Sequence, residues 1–268
     1  MNHANPSFVG GVVDGQAPLS GRRGLVVGVA NQDSIAWGCA QALHRRGAGL
    51  VVSCLNERAR AYVAPLADDL GVPLLCCDVE QPGQLDALVA QAVSHLGGLD
   101  FVVHSIAWAP REDLHGRVVD SHAEGFARAM NISCHSFAQL ARLCEPHLGH
   151  GGTLVTMSYI GAEEAVPHYG LMGPVKSALE SLVRYMALEL GPRGIRVHAV
   201  SPGPMPTRAA SGLVEFDALM ARSAALAPLR RGVTLDEVGG CVAFLVGPDA
   251  TGMTGQTLYV DAGTHAVR

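Results

Sequence analysis

The sequence predicts a doubly wound α/β domain, with a parallel sheet covered by helices on both faces. Three observations carry that expectation. Seven short apolar runs alternate with amphipathic stretches of helical period, the pattern of successive right-handed strand–helix–strand crossovers. Runs such as Leu25-Val26-Val27 and Leu50-Val51-Val52 are apolar throughout, as strands buried on both faces require. No long linker, repeat or low-complexity tract divides the 268 residues, a length that suits one large α/β domain.

Residues 1–20 hold Gly, Pro and Ser without periodicity and are expected to form a flexible N-terminal extension to a domain spanning 21–268. The first strand is placed at Gly24–Val29, followed by a helix at 34–47. Between them lies Gly28-Val29-Ala30-Asn31-Gln32-Asp33-Ser34-Ile35-Ala36-Trp37-Gly38. Gly28 suits a tight turn, Asp33 or Ser34 can cap the helix, and Gly38 would allow close packing on the sheet. The exposed N–H groups of that helix start suit a pyrophosphate. An ordinary strand–helix turn is the competing reading, because GxGxxG is absent.

The second strand, Leu50–Cys54, leads through Leu55 and Asn56 into a helix at 57–70. A dinucleotide's adenosine ribose would sit at this strand end. The nearest cations for a 2′-phosphate, Arg58 and Arg60, lie a turn further on, which favours NADH over NADPH. The third strand, Pro73–Cys77, ends at Asp78-Val79, where the carboxylate either meets an adenine amine or caps the next loop. A helix at 82–97 and a strand at Asp100–His104 follow. The small residues Ser105-Ile106-Ala107 then either admit a ribose or simply pack. A long helical pattern at 121–148 precedes a strand at Thr153–Met157. After it come a helix at 170–191, a strand at Arg196–Val200, a helix at 235–247 and a last strand at Thr257–Val260. The stretch 203–229 interrupts the alternation. It follows Pro202, holds Pro204 and Pro206 and becomes small and apolar, so it is expected to be a substrate-binding lid over the crevice at the strand ends, with a static packing helix as the competing reading.

Composition excludes several classes. Hydrophobic residues make up 49% and charged residues 16%, too apolar for a disordered chain. No apolar run reaches membrane-span length, and Met1–Ser20 shows no cationic run followed by an apolar core, so no membrane association is expected and a cytoplasmic protein is. A net charge of −5 argues against a nucleic-acid partner. Seven cysteines without a CxxC pair, and twelve histidines without HExxH or HxxxH, offer neither a disulfide framework nor a zinc site.

The basic residues are eighteen arginines and one lysine, Lys176. A chain that meets almost every basic need with guanidinium and keeps one ammonium marks a position where a compact cation on a thin stem is required. Lys176 closes the run Ser158-Tyr159-Ile160-Gly161-Ala162-Glu163-Glu164-Ala165-Val166-Pro167-His168-Tyr169-Gly170-Leu171-Met172-Gly173-Pro174-Val175-Lys176. Seven residues separate Tyr169 from Lys176, about two helical turns, which would put both on one face if the helix extends back to Tyr169, though Pro174 points to a first turn that begins near Gly173. A phenol can donate to a developing oxyanion, and an ammonium can hold ribose hydroxyls and add positive potential.

With this cluster the sequence resembles the short-chain dehydrogenase/reductases, and within them the enoyl-acyl-carrier-protein reductases of bacterial fatty-acid synthesis. The position four before Lys176, where ordinary members carry the catalytic tyrosine, holds Met172. The position thirteen before that, usually a serine, holds Tyr159. The Tyr-x6-Lys spacing with a second upstream tyrosine is similar to the enoyl-reductase pattern. Further blocks agree: Ser34-Ile35-Ala36-Trp37-Gly38, His104-Ser105-Ile106-Ala107-Trp108-Ala109-Pro110, Arg208-Ala209-Ala210-Ser211-Gly212 and Val260-Asp261.

The resemblance implies a single Rossmann-type domain with a seven-stranded parallel sheet and NADH as cofactor. It implies that Gly28, Ser34, Ile35, Leu55, Asp78, Val79, Ile106 and Lys176 contact the dinucleotide, with Met205 and Thr207 at its nicotinamide end. Ala109 would border the acyl substrate, and Tyr169 would be the catalytic phenol with Tyr159 as its partner, both facing substrate. Hydride would add to C3 of a trans-2-enoyl thioester, Tyr169 would donate to the enolate oxygen with Lys176 adding positive potential, and protonation at C2 would complete the reduction. The implied partner is an acyl carrier protein and the implied assembly a homotetramer. Four arginines against Glu215 and Asp217 between Met205 and Arg231 fit a docking rim for that acidic partner, or a solvated surface. The chain departs from the family at Ala107 (often Gly), Leu55 (often polar), Ala262 (Gly in a frequent Asp-Gly-Gly ending) and in a longer N-terminal extension. A reductase of the same fold for a specialised enoyl or keto substrate, and a catalytically idle NAD-binding regulator, are the alternative readings.

Overall fold

The structure, a computed structural model, describes residues 17–207 and 216–267. Seven strands lie in one sheet: β1 (Arg23–Val27), β2 (Gly49–Cys54), β3 (Leu74–Cys76), β4 (Leu99–His104), β5 (Leu148–Met157), β6 (Arg196–Pro202) and β7 (Gln256–Val260). All neighbours are parallel, in the order β3-β2-β1-β4-β5-β6-β7. The expected doubly wound architecture is therefore the observed one. The order reverses at β1, between β2 and β4, and opens a crevice at the carboxyl ends of the strands.

Side-chain alternation divides the core into two layers. Leu25, Val27, Val102 and Leu154 face one side, beneath α3 (Gln84–Leu96), α6 (Ser136–Cys144) and α7 (Met172–Leu190). Val26, Val52, Val103 and Val155 face the other, beneath α1 (Ile35–Arg45), α2 (Glu57–Leu70) and α9 (Leu235–Val246). Ser34 is the residue that caps α1, accepting from the Trp37 N–H, and Asn56 caps α2 in the same way. The close approach at Gly38 is to a helix and not to the sheet as expected: a Cβ there would lie 2.6 Å from Leu235 Cβ on α9. Gly239 answers it, since its Cβ would lie 2.6 Å from Ala42 Cβ.

The long pattern at 121–148 is not one helix. It divides into α5 (Ala123–Met130), a π-helical turn (Asn131–His135) and α6, and its last residue already belongs to β5. Serine chemistry accounts for the break. Ser133 accepts from the Trp108 N–H and donates to the Trp108 carbonyl, both at 2.8 Å, while Ser136 donates back to Ile132 O at 2.6 Å. Hydroxyls that engage backbone in this way disturb the regular ladder. Two further helices are short: α4 (Arg111–His115), which was not foreseen, and α8 (Phe216–Leu226), where a packing helix was the competing reading. The second belongs to the stretch expected to be a lid, of which residues 208–215, like 1–16 of the expected extension, lie outside the described residues. Residues 17–20 belong with the fold rather than with that extension: Leu19 is buried in the α1–α9 layer and its N–H bonds Arg46 O.

Two substitutions test this packing. Gly239→Leu should destabilise the protein by about 2 kcal/mol through overpacking against α1, whereas Gly240→Ala, whose added methyl meets only the end of Arg46, should stabilise it by about 0.5–1 kcal/mol. Ala262 stands in the left-handed region at φ 58. Ala262→Gly should therefore raise stability by about 1 kcal/mol. Urea midpoints read all three.

Candidate active site

The strand ends assemble the site. Gly28, at φ +102, lets the loop after β1 touch the loop after β4: a Cβ would lie 2.3 Å from Ser105 O and 3.2 Å from Ile106 Cγ1. Ser105 N–H in turn bonds Val27 O at 3.0 Å, and the N–H groups of Gly28 and Val29 bond Ser53 O. Gly28, Ile106 and the start of α1 with Ser34 and Ile35 thus form one wall, where the first N–H groups of the helix have no intrahelical acceptor. The Cβ direction of Gly28 is taken by Ser105 O, so the glycine brings the two strand-end loops together, and the N–H groups at the helix start beside them fit a dinucleotide pyrophosphate.

The remaining expected contacts occupy the neighbouring strand ends. Leu55, just after β2, is 52% exposed at the rim. Arg60, one of the two cations considered for a 2′-phosphate, is held by Glu57 at 3.0 Å and bonds Leu74 O. Asp78 does cap its loop, accepting from the Glu80 N–H at 3.0 Å, while its own N–H donates to Gln84. Val79, Ile106 and Ala109 pack on the α6–α7 core layer. Met205 and Thr207 are buried after β6, joined by a bond from Thr207 N to Met205 O at 2.7 Å.

The cluster expected to be reactive lies beyond β5. α7 begins only at Met172, so the shared helical face expected for Tyr169 and Lys176 does not form. Tyr169 instead follows a turn in which its N–H bonds Val166 O, and Gly170 (φ +41) carries the chain onward into α7. Its ring meets that of Tyr159 edge to face, with centroids 4.8 Å apart. Met172, at the position four before the lysine, is buried in the core. Lys176 is 4% exposed and donates to Met157 O at 2.7 Å, two residues before Tyr159. The structure therefore gathers Lys176, the end of β5, Tyr159 and Tyr169 through β5 rather than along one helix. A cavity of about 530 Å³ adjoins Tyr169, lined in part by Val118, Ala162, Val166 and Pro174.

Burial sets the protonation states. It pushes the Tyr159 phenol up to about 12 and raises Tyr169 as well, with Tyr159 adding to the effect. Both are neutral donors at physiological pH. Burial lowers Lys176 to about 8, opposed by Cys134 and Glu180, so it is still mainly cationic at neutral pH.

Glu180, one turn along α7 and 5% exposed, was not foreseen; burial raises its pKa and the Ser158 hydroxyl donates to it at 2.5 Å. A carboxylate among Val175, Leu179 and Val183 was the signal that could have found it. Cys134, on the π turn, was also missed, since its position depends on that break in the helix.

The comparisons with known proteins agree with this geometry. The family model described as enoyl-(acyl carrier protein) reductase matches residues 28–265. The chain belongs to the enoyl-acyl-carrier-protein reductase family. An enoyl-acyl-carrier-protein reductase (NADH) 1 from Rhizobium meliloti is 41% identical over 93% of this chain and 92% of its own. The enoyl-acyl-carrier-protein reductase of Anaplasma phagocytophilum, solved with NAD, superposes with a TM-score of 0.89 at 42% identity, covering 93% of this chain and 95% of that one. The Bacillus cereus enoyl-acyl-carrier-protein reductase, solved with NADP+ and an indole naphthyridinone, has a TM-score of 0.91 at 40% identity, covering 94% and 99%. As a member of this reductase family the chain is an oxidoreductase.

The buried lysine of this reductase gives a pH test. An ammonium whose pKa falls from 10.5 to about 8 on folding binds its proton less tightly in the native state. The unfolded chain then carries more protons between those values, and stability rises with pH across that window. Lys176→Met lacks the titration. Relative to that variant, wild type should gain about 2–3 kcal/mol between pH 7 and pH 10. Urea unfolding of both proteins at the two pH values measures it, and a constant difference would show that the ammonium is solvated.

Proposed function

We propose that the protein catalyses NADH-dependent reduction of the trans-2 double bond of enoyl-acyl-carrier-protein thioesters in fatty-acid elongation. The observation that carries this reading is the displaced phenol. Tyr169 stands ahead of α7 against Tyr159, while the helical position where a ketone-reducing relative would present its tyrosine holds the buried thioether of Met172. A proton donor set back in this way suits the thioester oxygen, one conjugated unit away from the carbon that accepts hydride.

Gly28, Ser34 and Ile35 would hold the pyrophosphate, Leu55 the rim of the adenosine ribose, and Asp78, Val79 and Ile106 the adenosine side of the crevice. Met205 and Thr207 would border the nicotinamide and Lys176 its ribose. When bound, the nicotinamide supplies the hydride that adds to C3. Tyr169, kept neutral by burial, donates a hydrogen bond where negative charge develops on the thioester oxygen. Tyr159 holds the Tyr169 ring by its edge-to-face contact and shields it from water. Lys176, anchored on Met157 O, adds positive potential without a mobile counter-ion. Ala109 packs in the same core layer as Tyr169, and the neighbouring cavity gives the acyl chain room.

NADH rather than NADPH is supported by Arg60, whose guanidinium is engaged by Glu57 and a carbonyl. The partner is an acyl carrier protein. The basic rim is weaker than its local count, because Arg231 is paired with Glu237 at 2.6 Å. We place the protein in the cytoplasm as a homotetramer of single domains that take in residues 17–20 as well as 21–268, with residues 203–229 as lid. No helix among the described residues is long and apolar enough to cross a membrane.

Turnover of crotonyl- or 2-dodecenoyl-carrier protein, followed by nicotinamide absorbance beside NADPH and a 3-ketoacyl control, tests the reaction. Enoyl reduction with NADH and none of the ketone is expected. Tyr169→Phe should lower kcat by a factor on the order of 10² to 10³; an unchanged kcat would remove Tyr169 from the mechanism. Cofactor binding without turnover of any enoyl thioester would favour an idle regulator instead.

A further inference from the structure

Behind Lys176 lies a buried hydrogen-bond chain that the proposed reaction does not yet use. His104, at the end of β4 and 1% exposed, sits in register beside Thr156 of β5. Its Nδ1 is 3.0 Å from Thr156 Oγ1 and its Nε2 is 2.8 Å from Ser136 Oγ. The polarity follows from the last link. Ser136 spends its only hydrogen on Ile132 O at 2.6 Å, so it must accept from His104, which places a proton on Nε2. Burial, with Lys176 nearby, lowers His104 to about 3, so the ring is neutral. Nδ1 therefore accepts from the Thr156 hydroxyl. Thr156 O–H, imidazole, Ser136 O–H and the Ile132 carbonyl form one directed chain from β5 to the π turn.

The two ends of this chain are the two walls around Lys176. One is β5, whose next residue, Met157, supplies the carbonyl that holds the ammonium. The other is the π turn, whose Cys134 lies within electrostatic reach of Lys176. We infer that His104 is a positioning residue, a neutral spacer of fixed tautomer that ties β5 to the π turn and so keeps the Lys176 side chain dry and aimed at the cofactor ribose. This rests on the cofactor role assigned to Lys176 above. The ionisable groups around that ammonium are His104 from β4, Cys134 from the π turn and Glu180 from its own helix. Phe137, 5.3 Å from the imidazole between ring centroids, packs beside it, so an aromatic ring without nitrogens can take its place.

The composition of the chain makes a direct test possible. With Lys176 the only lysine, lysine labelled with carbon-13 at Cε gives a single side-chain NMR resonance from the full-length protein, readable without cofactor. In wild type it should titrate near the value of about 8 set by burial. In His104→Phe, which keeps the ring but cuts both links, water reaches the ammonium and the titration should move up by about one unit or more toward the solvated value. His104→Gln keeps one donor and one acceptor and should restore the wild-type value. Should His104→Phe not fold, Ser136→Ala and Thr156→Val each remove one link with little change of shape and should move the titration in the same direction.

NADH affinity, measured on the same proteins, should fall about tenfold in His104→Phe and recover in His104→Gln. A Lys176 titration that stays put or moves down in all the link-cutting variants, even with a lowered melting temperature, would overturn the positioning role and leave His104 as core packing. Wild-type protein that shows the expected titration but no NADH affinity would instead count against the functional reading.

Discussion

A single ammonium inserted into the apolar face of α7 sets the terms for the rest of the site. Lys176 shares that face with Val175, Leu179 and Val183, and its charge is met by one backbone carbonyl, that of Met157. A cation held this way costs stability unless the walls around it are fixed, because any gap admits water and any approach of a second cation repels it. The fold answers on each side. β5 presents its carbonyl end, Glu180 adds an acid one turn away with Ser158 bonded to it, and the π turn brings Cys134 from the opposite helix. Tyr159 and Tyr169, the groups that would touch substrate, are then placed by the same strand end that anchors the lysine.

Much of this was legible in the sequence, and the reason is physical. A parallel sheet covered on both faces writes its strands as uninterrupted apolar runs, and all seven observed strands overlap the runs read from Leu25 to Val260. Lys176 stood out because a composition otherwise committed to arginine makes a lone lysine visible. Tyr169 was found through its spacing to Lys176, yet the geometry behind that spacing was different. Helical periodicity gave a common face only if the helix reached back to Tyr169, whereas Tyr169 follows a turn and Gly170 leads from it into α7. The spacing persists for a different reason from the one that periodicity suggests.

The misses share a cause. The π turn at Asn131–His135 depends on hydroxyls of Ser133 and Ser136 finding particular backbone partners, one of them, Trp108, 25 residues away in the chain. No local pattern records a partner that only the tertiary fold supplies. Glu180 and the His104 chain were hidden for a related reason: their meaning depends on what faces them across α7 and β5. Gly38 shows the same limit on a smaller scale. The sequence indicated that space was needed at that position, but only the structure shows that the space admits α9.

The contrast between the lysine and the buried arginines explains why this composition works. Arg196, 7% exposed, spreads its charge over Ala250 O at 3.0 Å and Thr153 Oγ1 at 2.8 Å, and Arg22 reaches Val246 O at 2.9 Å. A planar fork of donors suits such fixed, scattered acceptors, binds helix ends and strand starts together, and keeps its charge at any pH the protein meets. Those are structural duties. At the strand ends the proposed role asks for something different: a compact charge that spends one donor on Met157 O and keeps the rest for a bound ribose. Arginine therefore serves where a cation holds the fold together, and the proposed cofactor role explains why the one position behind Tyr159 keeps a lysine.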